Sequence, residues 1–311
     1  MQYPATSMIV FGVSITDPAM YDRAAGPGIE RAREEDSVVF PFAAAGSIYR
    51  SYNVLMDKAA ELEGVEALVL VHQDAEIDDP EFCAKLRRAM ADPDVGVVGS
   101  VGAIDVRSIA WWEGSVTCAP LIHRYSELGG GDVVAFSWKG QKQPAFAATG
   151  EVDSVDGFML ALSPWVIKNV RFDESLGQLH GYDFDFCLSV REAGKKIVTE
   201  DLYMIHHHSL DLISDPETWV EAHMRIAEKW DGRMPKIGDE GNGTDWKYRA
   251  RRAEAEAAAS RAICQAEQLK FSALERQVYS SISWRLTHPL RALNERRRRL
   301  KARYGTRLAK P

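Results

Sequence analysis

Short apolar runs alternate with longer amphipathic stretches through the first 230 residues. Met8–Val13, Ser37–Pro41, Val65–Val71 and Asp94–Ser100 read as strands. Within the third, Ala67-Leu68-Val69-Leu70-Val71 is apolar without interruption, the pattern of a strand buried on both faces. Between the strands, one helix leads from the Ala43–Asn53 segment to about Leu62. A second runs from Pro80 to Ala91, with proline at its first turn. This alternation predicts an α/β fold with a mostly parallel sheet covered by helices. Residues 105–151 are less regular. They carry Trp111-Trp112, Gly129-Gly130-Gly131 and Trp138, and read as a long loop. Val155–Leu162 returns to strand. Asp183–Ala193 reads as a helix stopped by Gly194. Lys195–Val198 and Tyr203–Ile205 are short extended segments, the latter ending in His206-His207-His208. Thr218–Trp230 is a further helix.

Composition then shifts. Gly232, Pro235, Gly238, Gly241 and Gly243 mark a linker, dividing the chain into a domain at 1–230, a linker at 231–245 and a helical tail at 246–311. The tail reads as one long helix over Trp246–Ser283, with Leu274, Val278, Ile282 and Leu286 forming an apolar stripe and Pro289 a break. The net charge of −7 conceals a split: residues 246–311 hold 17 Lys/Arg against 5 Asp/Glu, and the rest 21 against 40. A basic tail beside an acidic body points to an anionic membrane surface, to self-association, to packing on the body itself, or to a solvated charged face. The acidic body argues against nucleic acid as the main ligand. No apolar run approaches the roughly 20 residues that span a bilayer. The N-terminus lacks a signal peptide's basic start and apolar segment, and the four cysteines form no CxxC pair. The expectation is a cytoplasmic chain with reduced thiols, peripheral at the inner face of the membrane if the tail binds there.

The candidate chemistry lies where apolar runs stop. Val65–Val71 ends at His72-Gln73-Asp74, and ligands of open α/β sheets sit at the carboxyl ends of strands. Asp74, with His72 two residues before it, can hold a hard divalent cation against a phosphate. The rival reading is a polar turn in which Asp78 and Asp79 cap the next helix. Asp17 ends the first strand. It is either an acceptor for a base or ribose, or part of an ordinary Asp-Pro turn. At Asp156-Gly157, glycine permits close approach of a ligand. Three consecutive histidines alternate in direction, so at most two share a face; they are structural or complete a cation site. Asp183 and Asp185 open a helix, where acidic groups are favoured. Two residues apart, they point in different directions and do not both serve one reacting atom.

Three segments in order resemble family-2-type glycosyltransferases of the GT-A fold: Leu70–Asp74, Val155–Ala161, and Phe172-Asp173-Glu174 through His180–Cys187 to Gly194. The forms His72-Gln73-Asp74 and His180-Gly181-Tyr182-Asp183-Phe184-Asp185-Phe186-Cys187 look closest to the StrF-related subgroup. The tail segment Ser283–Arg291 resembles short segments beside bacterial glycosyltransferase domains. The resemblance implies a three-layer α/β/α sandwich with a C-terminal helical appendage. It also implies transfer of a sugar from a nucleotide-diphosphate sugar to an acceptor hydroxyl, with inversion, assisted by Mn²⁺ or Mg²⁺, in polysaccharide or glycoconjugate synthesis. The family's DxD motif falls on His72-Gln73-Asp74, with His in place of the first Asp. Asp74 would ligate the cation, completed by His206, the late His of such sites. His72 would bind the cation or a donor hydroxyl, and imidazole suits Mn²⁺ better than Mg²⁺. The catalytic Glu-Asp pair falls on Tyr182-Asp183, which makes Asp183 the general base. Asp17 falls in the region that holds the donor nucleoside, and Asp156-Gly157 in that touching donor sugar or acceptor. Two other classes compete: a metal-dependent hydrolase or nucleotidyltransferase built from His72, Asp74 and the His cluster, and a non-catalytic carbohydrate-binding or scaffold protein.

Overall fold

A computed structural model describes residues 7–104, 106, 108–111, 115–118, 121–134, 150–209, 213, 215–231, 244–287 and 289. The chain forms two compact units, 1–263 and 264–311. Trp112, Trp138, most of the linker (232–243), the Arg296–Arg299 cluster and the side chain of His208 lie outside the described residues.

The first unit opens with β1 (Met8–Ile15), α1 (Pro18–Arg23), α2 (Ala25–Ala32), β2 (Val38–Ala43), α3 (Ile48–Ala60) and β3 (Val65–His72). Then come β4 (Ala75–Ile77), α4 (Phe82–Ala89), β5 (Val95–Gly99), β6 (Val101–Ile104), β7 (Ser115–Cys118), β8 (Leu121–Tyr125) and β9 (Asp132–Val134). The rest is β10 (Gly150–Val152), β11 (Ser154–Val155), β12 (Met159–Leu162), α5 (Pro164–Asn169), α6 (Tyr182–Glu192), β13 (Lys196–Thr199), β14 (Met204–His208) and α7 (Pro216–Lys229). The long helix α8 (Thr244–Ser280) follows, then α9 (Ile282–Leu286).

The central sheet has the order β10-β13-β5-β12-β3-β1-β2, in which only β10 and β12 oppose the common direction. It is therefore mostly parallel, as the pattern predicts. The alternation of side chains along β1 sets the layers. Phe11 meets Phe82 of α4 on one face, with ring centroids 6.1 Å apart, while Gly12 faces Leu55 of α3 on the other. Helices thus cover both faces of the sheet, giving three layers. The core runs along β1, β3 and β12, where Phe11, Leu68, Val69, Leu70, Leu160 and Ala161 are fully buried.

Helix starts follow local chemistry. Asp17, Ser47, Ser163 and Asp215 each cap a helix by accepting backbone N–H bonds, and Pro18, Pro164 and Pro216 sit in first turns. The start of α6 differs. Gly181 precedes it at φ 75°, and a Cβ there would lie 2.4 Å from Ile226 Cδ1 of α7. The positive φ favours glycine at this position, and Ile226 and Ile109 fill the space beside it.

Two expectations about the strands differ from the structure, and the helix expected from Pro80 begins at Phe82. Val155–Leu162, read as one strand, is broken at Asp156-Gly157-Phe158 into β11 and β12, which belong to different sheets. Within 105–151, read as loop, β7, β8 and β9 are described. Strands of three to five residues with mixed composition carry too short a period to register. Strands β8 and β9 join β4 and β14 in a second sheet of order β4-β14-β8-β9.

The start of α8 belongs to the first unit. Ala255, Ala258, Ala259 and Ala262 are buried at helical spacing, and Arg252 pairs with Glu217 of α7 at 2.9 Å. In the second unit the helix also restarts at Ser281, ahead of the expected break at Pro289. The Ser281 hydroxyl accepts from Trp284 N and so caps α9. Among the described residues, no helix is long and apolar enough to cross a membrane.

Candidate active site

The carboxyl end of β3 carries the central group. His72 is its last residue, and the antiparallel β12 brings the Asp156-Gly157-Phe158 turn alongside, with His72 N donating to Phe158 O at 2.9 Å. Immediately after the turn at Gln73-Asp74, β4 pairs antiparallel with β14, so that Ala75 stands opposite His206. His207 N donates to Asp74 O at 2.8 Å. This small ladder places Asp74 beside His206. Their side chains meet at 3.5 Å between Asp74 Oδ1 and His206 Nε2, and His72 Nδ1 is 3.8 Å from the same oxygen. One donor atom from each of His72, Asp74 and His206 lies within 4.8 Å of the others. His207 points to the other side, as strand alternation requires, and bonds Glu76 at 2.7 Å.

Two imidazoles and a carboxylate form a donor set suited to a first-row divalent cation; an all-oxygen site would suit Mg²⁺. The electrostatics of His72 suit ligation, and those of His206 oppose it, since a ligating imidazole must be neutral. Burial pushes the His72 imidazole down to about 4, against the pull of Asp74, so it is neutral at pH 7 and has a lone pair to give. His206 is 8% exposed and stacks on Phe158 at 4.8 Å. Burial opposes its charge, yet Asp74 and Asp156 outweigh burial and hold its pKa above the ordinary value.

The second part of the site is the start of α6. Asp183 is 8% exposed. Its Oδ2 accepts from Gly157 N at 3.0 Å and its Oδ1 from Phe184 N at 2.9 Å. Burial, then the nearby Asp156, push its carboxyl up to about 7 despite these bonds. Asp156 is itself raised by burial, and its Oδ1 accepts from Phe158 N at 3.2 Å. Asp185 has a different task. Fully buried, it pairs with Lys229 at 2.9 Å and accepts from Trp230 Nε1 at 2.7 Å, tying α6 to α7.

Other candidates fall at the margin. Asp17 caps α1, accepting from Ala19 N at 3.0 Å and Met20 N at 3.2 Å. Gln73, the middle residue of the motif, clamps this turn to β3: its Oε1 accepts from Thr16 N and Asp17 N, both at 2.8 Å. Asn53 bonds the backbone of Phe172 in both directions, Arg50 is exposed on α3, and Trp111 is buried. Asp79, read in the rival turn as a helix cap, lies ahead of α4, whose N-cap is Glu81; it accepts from Glu81 N and pairs with Lys85 at 2.6 Å.

Three contributors carry no assigned role in the sequence reading. Tyr182 Oη lies 2.5 Å from His72 Nε2. Phe158 stacks on His206. His123 stands opposite His206 across the β8–β14 ladder, with ring centroids 6.0 Å apart. Burial, then His206, push the His123 imidazole down to about 3. Nothing in the local sequence marks His123; only the register of two strands brings it here.

The model of a glycosyltransferase-like family matches residues 15–228, a span that contains every residue of this site. The chain belongs to that family and is a glycosyltransferase. The streptomycin biosynthesis protein StrF of Streptomyces griseus is 32% identical over 212 residues, covering 65% of this chain and 67% of that protein. Among solved structures, GalNAc-T7 with UDP, GalNAc and Mn²⁺ is similar at 9% identity and a TM-score of 0.48, over 81% of this chain and 55% of that one. The mannosyltransferase PcManGT from Pyrobaculum calidifontis, in complex with GDP-Man and Mn²⁺, is similar at 12% identity and a TM-score of 0.43, over 92% and 84%.

Proposed function

We propose that this glycosyltransferase moves a sugar from a nucleoside-diphosphate sugar to an acceptor hydroxyl in glycoconjugate or polysaccharide synthesis. In this reading the anomeric carbon is inverted, and His72, Asp74 and His206 hold a divalent cation, Mn²⁺ by the chemistry of the donors. One observation carries the proposal. A buried carboxyl pushed up to about 7 stands at the same end of the sheet as a nitrogen–nitrogen–oxygen cation cluster. Asp183 then serves as general base, accepting the acceptor's hydroxyl proton as that oxygen attacks the anomeric carbon and the bond to the diphosphate breaks. A single displacement inverts the centre and needs no protein nucleophile. A bound cation supplies positive charge to the leaving diphosphate. Asp156 and the Gly157 backbone line the sugar side, and the Asp17 turn held by Gln73 lines the nucleoside side. Turnover of a panel of nucleotide-sugars, with and without acceptor and Mn²⁺, tests the reading. Acceptor-dependent diphosphate release with an inverted product supports it. Release that ignores the acceptor would replace it with hydrolysis.

We also propose that the second unit docks on an anionic lipid bilayer. Phe271, Leu274 and Val278 recur at helical spacing on α8, as do Ile282 and Leu286 on α9, and all are exposed, the last two by 76% and 73%. Tyr279 and Trp284 make an edge contact at 5.2 Å, a pairing suited to the membrane interface. Residues 264–311 hold 12 Lys/Arg against 3 Asp/Glu, which complements anionic headgroups. The restart at Ser281 leaves too short a continuous stripe for a coiled coil. Flotation of the full chain with anionic and neutral vesicles, beside Ile282→Glu/Leu286→Glu, decides. Binding only to anionic vesicles, lost in the variant, is expected. Equal behaviour on both vesicle types, or self-association that the variant abolishes, overturns it.

A further inference from the structure

The proposed reaction leaves unused a hydroxyl that touches the cation cluster. Tyr182 Oη is 2.5 Å from His72 Nε2, while Nδ1 of the same ring turns towards Asp74 at 3.8 Å. In a neutral imidazole one nitrogen carries the proton and the other the lone pair, so a bond at one nitrogen decides what the other can do. We infer that Tyr182 is a positioning residue: its oxygen accepts the Nε2–H of His72, which keeps the Nδ1 lone pair facing Asp74 and available to a cation. This inference rests on the reading that His72, Asp74 and His206 form a cation site.

The surroundings of Tyr182 suit that task. The ring is 5% exposed and is wedged edge-on between Tyr49, at 6.1 Å, and Tyr52, at 5.6 Å. As the first residue of α6, it stands on a helix whose start is fixed by Gly181. Space for the hydroxyl is created across the site: a Cβ on residue 157 would lie 2.2 Å from Tyr182 Oη. The glycine whose N–H binds Asp183 therefore also leaves room for the hydroxyl that orients His72. The cation ligand and the proposed base are linked through two adjacent residues of one helix turn. Second partners of this kind fix a ligand's tautomer and ring orientation, and their loss costs roughly 10–100-fold in metal affinity.

Two measurements on the full chain test this. Nitrogen-15 NMR of His72 in the cation-free wild type is expected to show the Nε2–H tautomer; an Nδ1–H ring would overturn the inference without any variant. Tyr182→Phe keeps the ring packing and removes only the hydroxyl. It is expected to give a mixture of His72 tautomers and to weaken Mn²⁺ binding by about 10–100-fold, read by electron paramagnetic resonance. Unchanged tautomer and affinity in a folded Tyr182→Phe would overturn it. Asp74→Ala separates this failure from that of the cation site. If Asp74→Ala binds Mn²⁺ as tightly as wild type, the site itself is wrong; if it loses Mn²⁺ while Tyr182→Phe does not, only the role of Tyr182 is wrong.

Discussion

Replacing Asp183 by Asn separates its proposed chemistry from its structural bonds. Burial and Asp156 raise the carboxyl from 3.8 to about 7, which corresponds to about 4 kcal/mol in favour of the protonated form. Between these two pH values the folded chain keeps a proton that the unfolded chain has released. Stability from this group therefore falls as pH rises, by about 1.4 kcal/mol per unit, and the full cost is present above about 7. Asn carries no such charge. Its amide also cannot accept from both Gly157 N and Phe184 N through equivalent oxygens, a loss on the order of 1–3 kcal/mol. The stability difference between variant and wild type should thus shift in the variant's favour by about 4 kcal/mol from pH 4 to pH 8. Urea denaturation across that range measures it. Turnover should move the opposite way. A general base contributes about 10²–10⁴-fold, so Asp183→Asn should lose that much in kcat while nucleotide-sugar binding is retained. Wild-type kcat/KM should climb tenfold per pH unit to a midpoint near 7, lower with a cation bound because positive charge favours the carboxylate. Near-normal turnover by the variant at pH 8, or a stability difference independent of pH, would refute the reasoning.

Three further outcomes follow from the same geometry. His206→Ala should abolish Mn²⁺ binding measured by calorimetry; an unchanged affinity removes His206 from the cation cluster. Gly157→Ala forces a Cβ to within 2.2 Å of Tyr182 Oη and should lower stability by about 1–3 kcal/mol, seen as a reduced urea midpoint. Lys229→Met leaves the buried Asp185 without its cation and should cost roughly 3–5 kcal/mol. That cost should be larger at pH 8 than at pH 5, because burial already holds the Asp185 carboxyl above its ordinary range. Thermal unfolding at the two pH values checks the sign.

The framework was legible because β1 and β3 are long apolar runs that end in polar turns, and a mostly parallel sheet followed from the alternation of strands with helices. The cluster was legible by halves. The halt of β3 at His72-Gln73-Asp74 marks one side, while His206 was reached only through the resemblance, because the partner strand β4 is only Ala75–Ile77, too short to leave a pattern. Without β4 there is no local reason for His206 to meet Asp74, and none at all for His123. The break between β11 and β12 was hidden because Val155, Phe158 and Met159 continue the apolar run through it. What requires the break lies elsewhere in the chain: Gly157 must make way for the Tyr182 hydroxyl and present its N–H to Asp183. Most telling are the two positions at which the motifs depart from the family's commonest form, His72 and Tyr182. In sequence they are two separate departures, His for the family's first Asp and Tyr for its Glu. In the fold they are hydrogen-bonded to each other at 2.5 Å. A residue-by-residue reading treats each change as a loss, because it cannot see that one imidazole and one phenol complete a single pair. Restoring a carboxylate at position 72 alone would therefore leave the buried Tyr182 hydroxyl without its present imidazole partner, a penalty on the order of 1–3 kcal/mol.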